Sequence, residues 1–271
     1  ESGSTSRDLR HQNRLLVREI VRLSGPVSRN EIARIAGLTP PTITNVINEL
    51  IESDTVREIG HGESTGGRRP VLLELNPNAG FVFAARIQRG EIVTALLDLV
   101  GGILASSKTS LDSSEPEGFI QAIGGAFDML TAGAGVPKNR VLWCGVATPG
   151  LVDSQQGIVH KSANLSWHAV PLGPMLSEAI GGVPVYVENV SNAAALGEKV
   201  YGSGQGYENL IYLNLSVGIS AGVIVNDKVF GGARGYAGEV GHVAVVPEGG
   251  PLCSCGRYGC FEAICGARAV L

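Results

Sequence analysis

Between residues 238 and 262 the chain reads GEVGHVAVVPEGGPLCSCGRYGCFE, and this segment restricts the possible folds more than any other. One His and three Cys stand at His242-x10-Cys253-x-Cys255-x4-Cys260. Thiolates and an imidazole in that number suit a closed, tetrahedral, structural zinc site. Gly249, Gly250, Gly256 and Gly259 permit the tight turns needed to gather the four side chains. The spacing is not that of a common zinc finger or ribbon, so the metal assignment rests on residue type and clustering. The alternative is a group of buried thiols beside an unrelated His. Cys-x-Cys among glycines is a poor way to build a core, which favours the metal.

A chain of 271 residues has room for two or three domains. Its glycines are abundant but follow no short repeat, as in a turn-rich α/β protein. No uninterrupted apolar run is long enough to cross a bilayer, and the opening is polar and arginine-rich, unlike a signal peptide. Five cysteines, three of them in the proposed zinc cluster, point to a reducing cytoplasm rather than a disulfide framework. The remaining two, Cys144 in an apolar run and Cys265, are expected in the core.

The net charge of −4 conceals an asymmetry. Residues 1–48 carry seven arginines against four carboxylates, an excess of three positive charges on an otherwise acidic chain. A basic N-terminal unit is a reason to look for nucleic-acid binding, although arginines on a helix also serve as a solvated face. Leu9, Leu16, Ile20 and Leu23 recur at helical spacing and predict an amphipathic helix over 7–24, stopped by Ser24-Gly25-Pro26. Ser28-x-x-Glu31 is a capping box that starts a second helix. Gly37 turns the chain, and Thr39 is expected to cap a third helix, with Pro40 and Pro41 in its first turn. Ile43, Val46, Ile47, Leu50 and Ile51 form its buried face, while Thr42, Thr44, Asn45 and Asn48 point outward. Short hydrogen-bonding side chains are what a major-groove reader needs. Strands over 55–59 and 71–75 would flank the arm GHGESTGGRRP, completing a winged helix-turn-helix. Arg68 and Arg69 on that arm can reach phosphates or a narrow minor groove, and Arg29 opens the second helix. The candidate DNA contacts are therefore Arg29, Thr39, Thr42, Thr44, Asn45, Arg68 and Arg69. The alternative is a three-helix packing module with a polar surface.

The linker Asn76-Pro77-Asn78-Ala79-Gly80 divides a DNA-binding domain over 1–77 from a body over 78–271. In the body, 81–87 and 92–99 read as a hairpin turning at Arg89-Gly90. Helices are expected over 117–132 and 171–180, strands over 141–147 and 183–189, and a helix opening at 193–199. A second hairpin is expected from 209–215 and 221–226, and a helix near Glu262. The class is α/β, with two units that each start from a hairpin.

The segments CGVATPGLVDSQQGIV, VENVSNAAALGE, GISAGVIVNDKVFGG and AGEVGH…CSCGRYGCFE together resemble the ROK family of repressors, open reading frames and sugar kinases, from about residue 80 to 271. The winged helix in front is similar to the family's repressor branch, the xylose- and N-acetylglucosamine-type regulators. The resemblance implies a two-lobed actin-like ATPase (ribonuclease H-like) fold with a sugar in the cleft, the lobe boundary near 190–205 and the zinc loop over 242–260. It implies sugar contacts from Asn189, Glu239, His242 and Glu262, with Gly150 and Asn164 near the cleft. Asn189 and Asn192 can equally be strand-end and helix caps, and Glu239 and Glu262 structural groups beside the zinc loop.

Kinase members carry Asn-Asp-Ala-Asn where this chain has Asn189-Val190-Ser191-Asn192, and valine cannot accept the proton of a sugar hydroxyl. Arg86, Gln88, Arg89 and Gly90 occupy the place of the first phosphate loop, and 216–222 that of the second. With base and phosphate cradle both altered, no catalytic residue is assigned. The family's second lobe continues beyond GCFE, so the second lobe is expected to be incomplete at Leu271. The reading is a cytoplasmic, non-enzymatic regulator, most naturally a repressor of carbohydrate genes. Its expected partners are double-stranded operator DNA, a sugar-type effector and a second copy, as a homodimer or dimer of dimers. The alternatives are a ligand-independent DNA binder whose body only dimerises, and an ATP-dependent sugar kinase.

Overall fold

The computed structural model describes residues 6–63, 69–216, 218–233 and 235–270. They form two compact units, one running up to Phe81 and taking in Leu97–Leu104, the other made of Val82–Leu96 and the chain from Ala105 onward.

The first unit is built on α1 (Ser6–Ser24), β1 (Val27–Ser28), α2 (Arg29–Ala36), α3 (Pro40–Glu52), β2 (Val56–His61) and β3 (Val71–Leu75). The strands β2 and β3 pair antiparallel, and β1, too short to be legible in the sequence, adds to β3 through Val27 opposite Leu73. Ile32, Ile43, Ile47, Leu50, Val56 and Leu73 fill the core, joined by Val17, Ile20 and Val21 of α1. Ile51 packs against this cluster from its edge.

Two sequence expectations change here. Of the α1 residues expected to pack, Ile20 is buried but Leu9, Leu16 and Leu23 are exposed. Residues seven apart drift only about 20° around a helix, so these leucines share a ridge of their own beside the Val17–Ile20–Val21 face. Thr39 sits at the N-cap of α3 but makes no side-chain capping bond. Its hydroxyl instead lies 2.9 Å from that of Thr42.

The capping box of α2 forms as expected. Ser28 Oγ accepts from the Glu31 amide, and the Glu31 carboxylate accepts from the Ser28 amide at 2.9 Å. Gly37 closes the helix in the left-handed region (φ 66°), a conformation in which glycine carries no Cβ penalty.

The second unit opens with β4 (Phe81–Gln88), β5 (Glu91–Asp98) and β6 (Ile103–Ser110), followed by α4 (Pro116–Gly133) and β7 (Val141–Thr148). A small sheet of β8 (Leu151–Asp153), β9 (Ile158–Ser162) and β10 (Trp167–Val170) comes next, then α5 (Leu172–Ala179) and β11 (Val185–Asn189). The main sheet has the order β11-β7-β4-β5-β6, with β11 parallel to β7. Phe83 meets Phe127 edge-on at 5.3 Å and Phe119 meets Trp167 at 5.2 Å, which fixes α4 between the main sheet and the small one. The strands β9 and β10 expose His160, Lys161 and His168, β8 is only three residues long, and β6 turns Ile103 and Leu104 outward, so none of them shows a clean apolar alternation in the sequence.

The chain then runs through α6 (Val190–Tyr201), β12 (Leu210–Leu215), β13 (Ile219–Val225) and β14 (Lys228–Val229), which make a three-stranded sheet packed on α6. It ends in α7 (Phe261–Cys265) and α8 (Ala267–Val270). Cys144 is buried as expected, and burial pushes its thiol up to about 12, so it behaves as a small apolar side chain. Cys265 is exposed, against expectation, because α7 is a five-residue helix with little surface to bury it. Among the described residues no helix is long and apolar enough to cross a membrane.

The capping box gives a direct test. Ser28→Ala should cost the first unit about 1 kcal/mol in urea unfolding. The Ser28 amide and hydroxyl hold the Glu31 carboxyl below its ordinary 4.5. A carboxyl lowered on folding stabilises fully above its unfolded value and loses that contribution as pH falls through the folded one. Glu31→Gln should therefore remove part of the acid limb of the stability profile. An unchanged acid limb would mean the box contributes no net stability.

Candidate metal centre, cleft and nucleic-acid face

His242 lies in a 3-10 turn over Val240–His242, and the three cysteines come from the loop that leads into α7. The donor atoms of His242, Cys253, Cys255 and Cys260 all lie within 4.8 Å of one another. His242 Nδ1 is 3.5 Å from Cys253 Sγ, and Cys255 Sγ is 3.7 Å from Cys260 Sγ. A tetrahedral zinc ion with Zn–N of ~2.0 Å and Zn–S of ~2.3 Å needs donor–donor edges of about 3.5–3.8 Å. The donor set and its spacing therefore fit zinc. Gly259 (φ 69°) makes the gathering possible, since a Cβ there would fall 1.6 Å from the Val246 carbonyl oxygen.

Cys253 and Cys260 are buried, whereas Cys255 is exposed, so the centre is open on one side. Burial raises the Cys255 thiol. The Arg257 amide and guanidinium and the neighbouring sulfurs more than offset this and bring it down to about 6. Cys260 is pushed up to about 11, first by burial and then by Cys255 and Cys253. A bound dication would pull both into the thiolate form.

The second ring nitrogen of His242 lies 3.8 Å from Glu239 Oε2. A carboxylate behind the free nitrogen is the usual device that orients a ligating imidazole. Burial raises the Glu239 carboxyl; His242 lowers it and Glu262 raises it further. Glu262 ties the loop down: its Oε2 accepts from the Ile219 amide at 2.9 Å and its Oε1 from Ser254 Oγ at 3.4 Å. Glu239, His242 and Glu262 thus come together beside the start of β13.

Asn189 takes the cap alternative. It is the N-cap of α6, so this helix begins at Val190 rather than near Ala193. Asn189 Oδ1 accepts from the Ser191 amide at 2.8 Å and the Asn192 amide at 3.4 Å, and Nδ2 donates to Gly150 O at 2.8 Å. That leaves the side chain a single N–H for any ligand. Asn164 sits exposed in a turn. Four further side chains belong to this network: Glu188 accepts from the Asn189 amide, from Asn192 Nδ2 and from Ser154 Oγ, and Ser191 Oγ is 2.6 Å from Ser220 Oγ. Only the adjacency of Glu188 to Asn189 hinted at this in the sequence. Asn192 Oδ1 is buried there with no partner.

Where the resemblance places a phosphate loop, β4 and β5 carry a charged cluster. Glu91 accepts from Gln88 Nε2 at 2.9 Å and pairs with Arg86 at 3.8 Å and with Lys108.

In the first unit α3 turns Thr44, Asn45 and Asn48 outward, with Thr42 half-buried on the flank. Thr44 Oγ1 donates back to the Pro40 carbonyl at 2.9 Å, and Arg29 pairs with Glu58 at 3.0 Å. Both are committed within the chain before any partner arrives, leaving Asn45 and Asn48 as the open donors and acceptors of this face. Arg69 is exposed, while Arg68 lies outside the described residues. A groove of about 680 Å³ runs between α1 and α3, with Arg10, Asn13, Asn45 and Glu49 on its walls.

The ROK family profile matches residues 83–271, and the chain belongs to that family. It is 35% identical over 258 residues to the xylose repressor of Bacillus spizizenii, a match that takes in 95% of this chain and 66% of that protein. Among solved structures it is similar to a ROK family transcriptional regulator that is a homologue of the E. coli MLC protein. The TM-score is 0.81 at 29% identity, over 97% of this chain and 66% of the other. It is also similar to the ROK family glucokinase of Streptomyces griseus in complex with glucose and AMPPNP. That match has a TM-score of 0.62 and 34% identity, over 70% of this chain and 59% of the other. The chain thus spans just under two thirds of the length of the repressor relatives.

Cys260→Ser should lose stoichiometric zinc, measured by atomic absorption, and lower the melting temperature of the second unit. Purified protein free of zinc, with a melting curve that chelator does not move, would remove the metal centre.

Proposed function

We propose that the chain is a DNA-binding transcriptional regulator, a repressor of carbohydrate genes. In this reading residues 1–77 are a winged helix-turn-helix and residues 78–271 a kinase-like effector body. One observation carries it: the repressor match extends over 95% of the chain, N-terminal helices included, whereas the glucokinase match covers 70%. A polar outward face on α3 and an exposed Arg69 just ahead of β3 support reading by Asn45 and Asn48 in the major groove and backbone contact by Arg69. The operator would be a palindrome bound by a homodimer in the cytoplasm.

The body would bind a sugar-type effector in the cleft where α6 begins. Asn189 offers one N–H, and Glu239 and Glu262 offer acceptors. Zinc held by His242, Cys253, Cys255 and Cys260 would clamp the loop and fix His242, a structural role. Phosphotransfer is not part of this proposal. Val190 stands where a base is needed, and Glu91 with its cationic partners fills the place of a phosphate loop. An effector would act by binding two arrangements of the body with different affinities.

The test is a gel-shift titration on operator DNA selected from a random pool, with and without candidate pentoses, hexoses and amino sugars. Asn45→Ala should cost about 1–3 kcal/mol on the selected site and relax its sequence preference. Arg69→Ala should weaken all duplexes alike and lower the salt slope by about 1. No affinity for duplex DNA at moderate salt would end the regulator reading, and sugar-dependent ADP release would restore the kinase one.

A further inference from the structure

Helix α3 carries no lysine, arginine or histidine between Pro40 and Glu52. Apart from the two prolines at its start, its exposed side chains are Thr44, Asn45, Asn48 and Glu52. Guanine shows the major groove two acceptors, N7 and O6, and is met by the paired donors of arginine or by lysine. Nothing on α3 supplies them. Adenine shows an acceptor and a donor, N7 and the N6 amino group, and one asparagine amide matches both: Nδ2 donates and Oδ1 accepts. Set against guanine, the same Oδ1 would face O6, acceptor against acceptor.

Hydrogen bonds already made within the unit narrow the choice further. Thr44 Oγ1 donates back to the Pro40 carbonyl at 2.9 Å, so its proton is spent and its methyl remains for apolar contact with a thymine methyl. The Thr42 hydroxyl lies 2.9 Å from that of Thr39. A glutamate could accept from cytosine N4, but Glu49 already accepts from Arg10 Nε at 2.9 Å. Glu52 is the last residue of α3, whereas a recognition helix meets base edges with its N-terminal residues. Arg10 and Arg14 of α1 reach α3 but bond to Glu49 and Ser53 at its C-terminal end, away from Thr44 and Asn45. The amides of Asn45 and Asn48 are left as the polar reading groups.

We propose that α3 recognises A·T pairs and excludes G·C pairs beneath it, with Asn45 and Asn48 each bonded to an adenine and the Thr44 methyl against a thymine. The inference rests on the DNA-binding reading above and names the bases which that reading leaves open. Asn45 and Asn48 are three residues apart, ~4.5 Å along the helix, against ~3.4 Å between base pairs. The two adenines therefore lie one or two steps apart in each half-site.

The experiment is selection of duplexes from a random pool by the full chain, followed by base-pair replacement in the selected site. The wild type should recover a half-site with two A·T pairs one or two steps apart. Asn45→Ala should relax the preference at one pair and Asn48→Ala at the other. Each variant should keep the wild-type affinity for random duplex, which shows that the unit is folded. Replacing either A·T pair by inosine·cytosine then separates the grooves, because that pair presents a G·C pattern in the major groove and an A·T pattern in the minor groove. The replacement should weaken the wild type roughly five- to a hundredfold. It should leave the variant lacking the matching asparagine unchanged. A G·C pair at a position relaxed by either variant, a preference that neither variant relaxes, or wild-type affinity that inosine·cytosine does not move overturns the inference while the regulator reading stands. A chain that binds no duplex at all overturns both.

Discussion

A loop with few buried apolar side chains cannot be held by burial, and the last part of the second unit depends on what closes the loop between His242 and Cys260. Three sulfurs and an imidazole nitrogen converge there, and Glu262 fastens the result to β13 through the Ile219 amide. The residues proposed to meet an effector are the same ones that brace the loop: Glu239 stands behind His242, and Glu262 holds Ser254 between two of the cysteines. Closing the loop and placing these side chains are one physical event. Metal binding at such a site is folding energy, because the gathered donor set does not exist in the unfolded chain.

The start of α6 shows how a polar motif can serve structure first. Asn189 spends both lone pairs on the first amides of α6 and one N–H on Gly150. Glu188 gathers Ser154, Asn192 and the Asn189 amide around one carboxylate. Such a network is rigid while every member is satisfied, and the unpaired Asn192 Oδ1 marks the point where it is not. A ligand at this helix start would meet a largely committed set of groups, so its selectivity would rest on the few atoms left over.

Much of this was legible in the sequence, for reasons that differ by element. The capping box at Ser28 and Glu31, the turn at Gly37 and the buried stripe of α3 follow from local rules that need no neighbours. The gathering of His242, Cys253, Cys255 and Cys260 was legible because that residue set is too particular for a core. The face of α1 was misread: leucines seven apart satisfy a helical period whether they point inward or outward, and only packing against α2, α3 and β3 decided that Val17, Ile20 and Val21 go in. The small sheet β8–β10 escaped notice because its strands are three to five residues long and too short to show a period. The exposure of Cys265 escaped too, since residue type alone suggests burial.

The sequence by itself determined the kinds of element, their order and the chemical character of each site, because these follow from side-chain chemistry and short-range spacing. Only the tertiary structure decided which side of α1 is buried, that Asn189 caps a helix, and that Glu262 bridges the His242–Cys260 loop to a strand. Those outcomes join residues distant along the chain, such as Glu262 with Ile219 and Asn189 with Gly150. Such contacts are selected by how packed elements share space and hydrogen-bonding capacity, which no local pattern encodes.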